Sequence, residues 1–428
     1  MSAWPNILFL FTDQQSARAM SCAGNPQLRT PHMDGLAAAG TRFGQAYCAA
    51  PVCGPSRSSL LSGRLPHETG VLVNSMTPDP SQPNMGELFG QAGYATAWSG
   101  RWHLPDNGEE GMRGFEVLHN AGVRLGIGAD GDGHVADRAI EFLRRAHTRP
   151  FCLGVSLCNP HDICHWIVDS PERKSGDLPP LPVNFEVDPR EPEFIQQCRQ
   201  RTYYGQEGTR TRDWDEQQWR SYMAAYYRFT EDVDVQVGRI LDALRACGLE
   251  EDTLVLFTSD HGEGMAAHRW VVKLMLYEEP LRVPFIVRWP GVVPAGVVDD
   301  ERLVSGLDVL PTLCDYAGVE FPEVRGMSLK PLLENPQAPG RPLLVAELHP
   351  DTEDLEMQGR MLRDERYKYI AFSRGRDPEL LFDLWEDPGE TRDLARDPAL
   401  RTELVRYRAL LRSGCAQSGD AFVVPGGG

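Results

Sequence analysis

The chain has 428 residues, long enough to bury a large core, and its 41% hydrophobic and 24% charged residues are ordinary for a soluble globular protein. A formal net charge of −18 excludes the broad basic surface that binds nucleic acid or an anionic membrane, so neither is expected as a partner. Residues 1–12 lack the basic leader and long apolar stretch of a signal peptide, no membrane-length apolar run follows, and ten scattered cysteines read as free thiols, so the expected location is the cytoplasm.

Asn6–Thr12, NILFLFT, is a continuous apolar run of strand length, as expected of a parallel strand buried on both faces. It ends in Asp13-Gln14, at the strand end where ligands bind in open α/β sheets. Thr30-Pro31 followed by His32–Ala39 predicts a capped helix closed by Gly40. Next comes Cys53-Gly54-Pro55-Ser56-Arg57, continued by Ser58-Ser59-Leu60-Leu61-Ser62-Gly63-Arg64, in which Pro55 stiffens a turn and the following run has helical composition. Cys53 therefore falls at a helix N-terminus, where unpaired backbone N–H groups favour anions and lower the pKa of a thiol. Arg57, one turn on, adds a fixed positive charge, and a loop carrying Asn74 follows.

Asn84–Ala92 predicts a helix and Tyr94–Ser99 a strand, with Gly100-Arg101-Trp102-His103 just beyond it. His134–His147 predicts a helix, and Pro150–Leu157 a strand ending at Asn159-Pro160-His161-Asp162. Residues 169–212, rich in Pro, Arg and Glu, read as a long surface excursion, a lid or substrate wall. Asp215–Cys247 has helical spacing, with Gly248 as its cap. Thr253–Thr258 is a second fully apolar strand and delivers Ser259-Asp260-His261-Gly262-Glu263; Val283–Trp289 is a further strand and Asp308–Ala317 a helix closed by Gly318.

The repeated strand-then-helix order predicts an α/β fold, a mostly parallel central sheet flanked by helices. From residue 339 the texture changes: Pro342–Glu347, Tyr367–Phe372 and Glu379–Leu384 read as short strands and Asp397–Leu411 as a closing helix. The expected organisation is a catalytic α/β domain over 1–338 and a small C-terminal antiparallel-sheet subdomain over 339–428.

A divalent cation needs hard donors converging from separate strand ends, and Asp13-Gln14 and Asp260-His261 each follow an apolar strand. In so acidic a chain an anionic substrate needs a local basic pocket, for which Arg57, Arg101, His161 and Lys273 are the candidates.

Cys-x-Pro-Ser-Arg followed by Ser-Leu-Leu-Ser-Gly-Arg resembles the signature of the type I, formylglycine-dependent sulfatases of the alkaline phosphatase superfamily. Gly-Arg-Trp-His and the segment RYKYIAF…ELLFDLWEDPGETRDLA resemble the carbohydrate members most. The resemblance implies an alkaline-phosphatase-like fold and oxidation of Cys53 by a separate maturase to formylglycine, 3-oxoalanine. It implies a metal site of Asp13, Gln14, Cys53, Asp260 and His261. Calcium is the expected ion, with room for manganese or magnesium, because many members carry Asp-Asp and Asp-Asn where this chain has Asp-Gln and Asp-His. That variant resembles a subgroup that includes choline sulfatases and phosphonate monoester hydrolases.

By the same resemblance His103 deprotonates a hydroxyl of the hydrated aldehyde, His161 reaches the sulfate or the leaving oxygen, and Lys273 binds a sulfate oxygen. Arg57 stabilises charge on the sulfate, Arg101 stands where lysine is usual, and Asn74 matches a substrate-binding asparagine. His165, Trp166, His268 and Trp270 lie near these motifs and are expected to shape the leaving-group pocket. The implied reaction is hydrolysis of a sulfuric ester, with a sulfated sugar as leading substrate. The alternatives are a phosphonate monoester or phosphodiester hydrolase using the same nucleophile, and a silent sulfate- or sugar-binding member. An unmodified thiol cannot complete the cycle, because it has no second hydroxyl with which to expel the ester.

Overall fold

The computed structural model of the chain describes residues 4–105, 112–120, 129–169, 176–200, 210–335 and 337–426. Strands β1 (Asn6–Asp13), β2 (Thr41–Tyr47), β3 (Ala95–Gly100), β4 (Glu116–His119), β5 (Phe151–Pro160), β6 (Thr253–Ser259), β7 (Phe285–Arg288) and β8 (Val297–Ser305) form one sheet. Their order is β4-β3-β5-β1-β6-β7-β2-β8. All neighbours run parallel except β7, which is antiparallel to both β6 and β2. The mostly parallel sheet is therefore the one the strand–helix order predicts, and helices cover both faces.

Alternation along β1 explains why its apolar run is unbroken. Ile7, Phe9 and Phe11 enter the core on one face of the sheet, while Leu8 and Leu10 enter the core on the other. The long helix Glu216–Ala246 crosses this sheet, and its Asp234 carboxylate accepts the backbone N–H groups of His32 and Met33, capping α1 (Pro31–Ala38).

β9 (Leu344–Leu348), β10 (Gly359–Arg363), β11 (Tyr367–Phe372) and β12 (Glu379–Asp383) form a second, antiparallel sheet in the order β12-β11-β10-β9. One face carries Leu362, Tyr369 and Leu381 against Leu404, Tyr407 and Leu411 of the closing helix Arg401–Ser418. The other face, with Leu344, Leu348, Met361, Ile370 and Phe372, joins the core of the large sheet.

The differences from expectation have local causes. The helix predicted over His134–His147 runs from Ala129 to Leu143, and the His147 ring folds back onto Phe142 and Phe151. The predicted closing helix begins later, at Arg401, because Asp397-Pro398 opens a short 3₁₀ turn capped by the Asp397 side chain. Within the excursion over 169–212 the structure contains a helix, Glu193–Gln200, while 170–175 and 201–209 lie outside the described residues. No helix among the described residues is long and apolar enough to cross a membrane.

Candidate active site

Register places the candidate residues along one edge. Thr12 pairs with Ser259, Asp13 with Pro160, and Gly100 with Ser156. The carboxyl ends of β3, β5, β1 and β6, consecutive in the sheet, thus deliver Arg101 and His103, His161, Asp13 and Gln14, and Asp260 and His261 to the same place. Gly100 makes the first of these turns possible: its φ is 111°, and a Cβ there would lie 2.0 Å from the Ser156 carbonyl oxygen.

Opposite this edge stands α2 (Cys53–Ser62), with extended Val52 as its N-cap. Cys53 is the first helical residue and is 0% exposed. Its sulfur stands in for the aldehyde-derived oxygens of the matured residue. It lies 2.9 Å from Lys273 Nζ, 3.1 Å from His261 Nε2 and 3.7 Å from Asp13 Oδ1, with His103 and His161 nearby. Burial pushes the thiol up, but Lys273 and His261, with His103 and His161 beside them, outweigh it and hold Cys53 well below the ordinary thiol range. The adjacent Gly54 N–H donates to Asn74 Oδ1 at 2.8 Å, so the asparagine caps an otherwise unpaired donor of the nucleophile turn.

Arg57 reaches back beneath this turn. Its Nη2 donates to Asp13 Oδ2 at 2.8 Å, its Nε to Asp260 Oδ2 at 2.8 Å, and its Nη1 to the Arg101 carbonyl at 2.5 Å and Ser156 Oγ at 2.9 Å. The sequence places Arg57 on the bound anion; in the structure its fork is spent on the carboxylates of two strands. Arg101 donates to the same Asp13 oxygen at 3.0 Å and to His103 Nε2 at 3.1 Å. Burial and the Cys53 sulfur push Asp13 up, yet His161 and the two arginines win and hold it at about 2. Asp260, facing Asp13 and one arginine only, is raised, chiefly by burial.

With Oδ2 of each carboxylate occupied, the Oδ1 atoms face His261 Nε2, at 3.9 Å from Asp13 and 3.7 Å from Asp260. His261 Nδ1 donates to the Gly262 carbonyl at 2.8 Å, which aims Nε2 at the site. Asp13, Cys53, Asp260 and His261, all buried, bring one ligand atom each to within 4.8 Å of one another, a donor set that fits a divalent cation. Gln14 stands one hydrogen bond away: its Oε1 accepts from Lys273 Nζ at 2.9 Å.

Lys273 sits within a strained loop in which Met265, Ala266, His268, Arg269, Val272 and Leu274 all have positive φ. Burial lowers its proton affinity, but the Cys53 sulfur, Cys164 and Asp13 raise it further, so the ammonium is retained. Trp270 and His268 do not line a leaving-group pocket as expected. Both are buried, Trp270 donating to the Lys273 carbonyl at 2.8 Å and His268 stacking on Tyr277, so they brace the loop from behind. His165 lies beside His161, with ring centroids 6.4 Å apart, and Trp166 packs against Trp214. Burial holds His161 down at about 4, so it is neutral at rest.

Three contributors escape the sequence. Ser56 donates to the Asp260 carbonyl, Ser156 accepts from Arg57, and Glu263 joins Gln14, Tyr222 and Val272. Glu263 stands in the quoted Ser-Asp-His-Gly-Glu run, but Gln14 and Tyr222 lie far from it in sequence.

Comparison with known proteins covers nearly the whole chain. A family profile described as Sulfatase matches residues 5–319, and one described as N-sulphoglucosamine sulphohydrolase, C-terminal, matches residues 266–411. The chain is 35% identical to a Delta 4,5-hexuronate-2-O-sulfatase of Bacteroides thetaiotaomicron, over 98% of this chain and 90% of that protein. Among solved structures it is similar to a 2-O GAG sulfatase, with a TM-score of 0.88, 33% identity, and 97% and 93% of the two chains covered. A second, in complex with its substrate D-glucosamine-2-N,6-O-disulfate, matches with a TM-score of 0.81 and 27% identity over 98% and 99%.

Proposed function

The chain belongs to the sulfatase family, and from that premise we propose that it cleaves the sulfate ester of a sulfated carbohydrate, using formylglycine made from Cys53 and a divalent cation, calcium. It is a sulfuric ester hydrolase with the alkaline-phosphatase-like fold. One observation carries the reading: four consecutive strand ends and a helix N-terminus converge on the single buried sulfur of Cys53.

When present, the hydrated aldehyde supplies a pair of hydroxyls and the cation supplies Lewis acidity toward one of them and toward the sulfate oxygens. Asp13, Asp260 and His261 would hold that cation, with Gln14 and residue 53 at its margin. Arg57 and Arg101 orient the two carboxylates and hold Asp13 ionised, so their share in catalysis runs through Asp13 and Asp260. Lys273, whose proton is held tightly, anchors a sulfate oxygen. Arg101 holds the His103 ring through Nε2, and His103 would be the base that receives a proton from the matured residue. His161, neutral at rest, gains proton affinity as a sulfate anion binds beside it, and it then serves the leaving oxygen. Asn74 keeps the peptide after residue 53 in place while the ester docks.

Substrate class follows from the relatives, whose names specify a sulfated hexuronate and a glucosamine disulfate. The test is co-expression with a formylglycine-generating maturase, followed by mass spectrometry of the Cys53 peptide, elemental analysis for calcium, and a screen of sulfated uronate and glucosamine saccharides. An aldehyde at position 53, about one bound cation per chain and released sulfate are expected. An intact thiol beside an active maturase, or faster cleavage of a phenylphosphonate ester than of any sulfate, overturns the proposal.

A further inference from the structure

Glu263 belongs to neither the metal set nor the substrate contacts, yet it is 0% exposed and sits two residues past His261. Its Oε1 accepts the Tyr222 hydroxyl and the Val272 N–H, and its Oε2 accepts Gln14 Nε2 at 2.5 Å. We propose that Glu263 is a positioning residue: it locks the amide of Gln14 so that the carbonyl oxygen, and never the NH₂, faces Lys273 and the cation site. This rests on reading the site as a sulfatase centre and adds a residue that reading does not use.

A carboxylate offers acceptors only, so whatever meets Glu263 must donate. The rest of Gln14 is already fixed. Its N–H donates to Asp260 Oδ1 at 3.0 Å, its carbonyl accepts from the Tyr226 hydroxyl at 2.8 Å, and its backbone holds a φ of 73°. What remains is which end of the amide points inward. With NH₂ turned to Glu263, Oε1 lies 2.9 Å from Lys273 Nζ, itself 2.9 Å from Cys53 Sγ. The reverse orientation sets an N–H against the Lys273 ammonium, donor to donor, and removes an oxygen from the margin of the cation site. The second Nε2 neighbour, Cys164 Sγ at 3.3 Å, is too weak a partner to decide the matter.

The same carboxylate ties down the peptide of Val272, immediately before Lys273. Both partners of the Lys273–Gln14 contact are thus set by one side chain, and strain in the 265–274 loop is held against it. A neutral glutamine at 263 is the same shape but breaks the logic. Its carbonyl still serves Tyr222 and Val272, and its NH₂ then faces Gln14, which must turn over.

The experiment uses the full chain matured by co-expression and compares wild type with Glu263→Gln, Gln14→Glu and the swap that carries both. Calcium affinity is read by calorimetric titration of chelator-stripped protein, alongside kcat and KM for sulfate release. Glu263→Gln and Gln14→Glu are each expected to weaken calcium binding by about 10- to 100-fold, as loss of a group that orients ligands does. Their kcat should fall more than their KM rises. In the swap, the amide now at position 263 donates to a carboxylate at position 14 and restores the pair, so affinity should return to within about threefold of wild type, a strongly non-additive result.

Wild-type affinity in Glu263→Gln, or losses that multiply in the swap, overturns the lock. If either single variant fails to fold, a folded swap with near-normal affinity supports it, and a swap that also fails assigns Glu263 to stability alone. Wild-type protein that binds calcium yet releases no sulfate overturns the proposed function, while the affinity comparison still reads the lock.

Discussion

Arg57 does more in the folded protein than its place in the Cys-x-Pro-Ser-Arg run implies. A 1% exposed guanidinium joins carboxylates from two strands, and removing it leaves both buried without their shared counter-charge. Breaking a buried pair in this way costs about 3–5 kcal/mol, so Arg57→Ala should lower the unfolding free energy by that order in urea titrations. Arg57→Lys keeps the charge but loses the fork that spans Asp13 and Asp260. It is expected to fold and to lose about 10- to 100-fold in calcium affinity and kcat/KM, the scale of losing a group that orients metal ligands; wild-type values in Arg57→Lys would show that charge alone suffices. Which residues gather at this edge is readable from the motifs, while their directions are not. Nothing in sequence tells that Arg57 faces carboxylates, because Asp260 lies 203 positions away and its approach depends on strand order.

At the scale of elements, α3 (Pro66–Thr69) is fastened to β9 by one histidine. His67 Nδ1 lies 2.5 Å from Glu347 Oε1, its N–H donates to Glu347 Oε2 at 3.1 Å, and Nε2 meets the Ser418 carbonyl at 3.2 Å. Burial lowers its proton affinity, but Glu347 and Ser418 outweigh it, so the folded pKa is raised above 6.5. This contribution to stability is full below the unfolded value near pH 6.5 and disappears as pH rises through the raised folded pKa. Urea midpoints of wild type and His67→Gln should therefore differ more at about pH 6 than at about pH 9; a constant difference would remove His67 as the cause.

Legibility of the elements follows burial. β1 and β6 show as unbroken apolar runs because both their faces are covered. β8 escaped because it is an edge strand whose run Val-Val-Asp-Asp-Glu-Arg turns charge to solvent, and β2 because Arg42, Gly44 and Gln45 interrupt it. β10 reads as polar, yet it buries Arg360 and Arg363 against Asp420 and Glu278, partners no local pattern announces.

For the molecule as a whole, the antiparallel sheet is no detachable appendage. Its inner face completes the main core, and buried Lys368 bridges Glu278, which follows the Lys273 loop, to Glu390 at 3.1 and 2.8 Å. A chain ending at 338 should thus fail to give a cooperative thermal transition; a soluble, cooperatively melting fragment would contradict this.

The burial of Cys53 also carries a consequence for time. A side chain that no solvent reaches, beneath a turn clamped to a strand some two hundred residues further along, offers no handle to a second enzyme once β6 has docked. The proposed maturation therefore requires a maturase that meets the nascent or unfolded chain, in competition with folding itself. Purified, folded thiol protein incubated with active maturase should keep its thiol, whereas the same chain met during synthesis should carry the aldehyde. Under that proposal each copy is committed to activity or silence at birth, and the active fraction of a population records how fast it folded relative to how fast it was found.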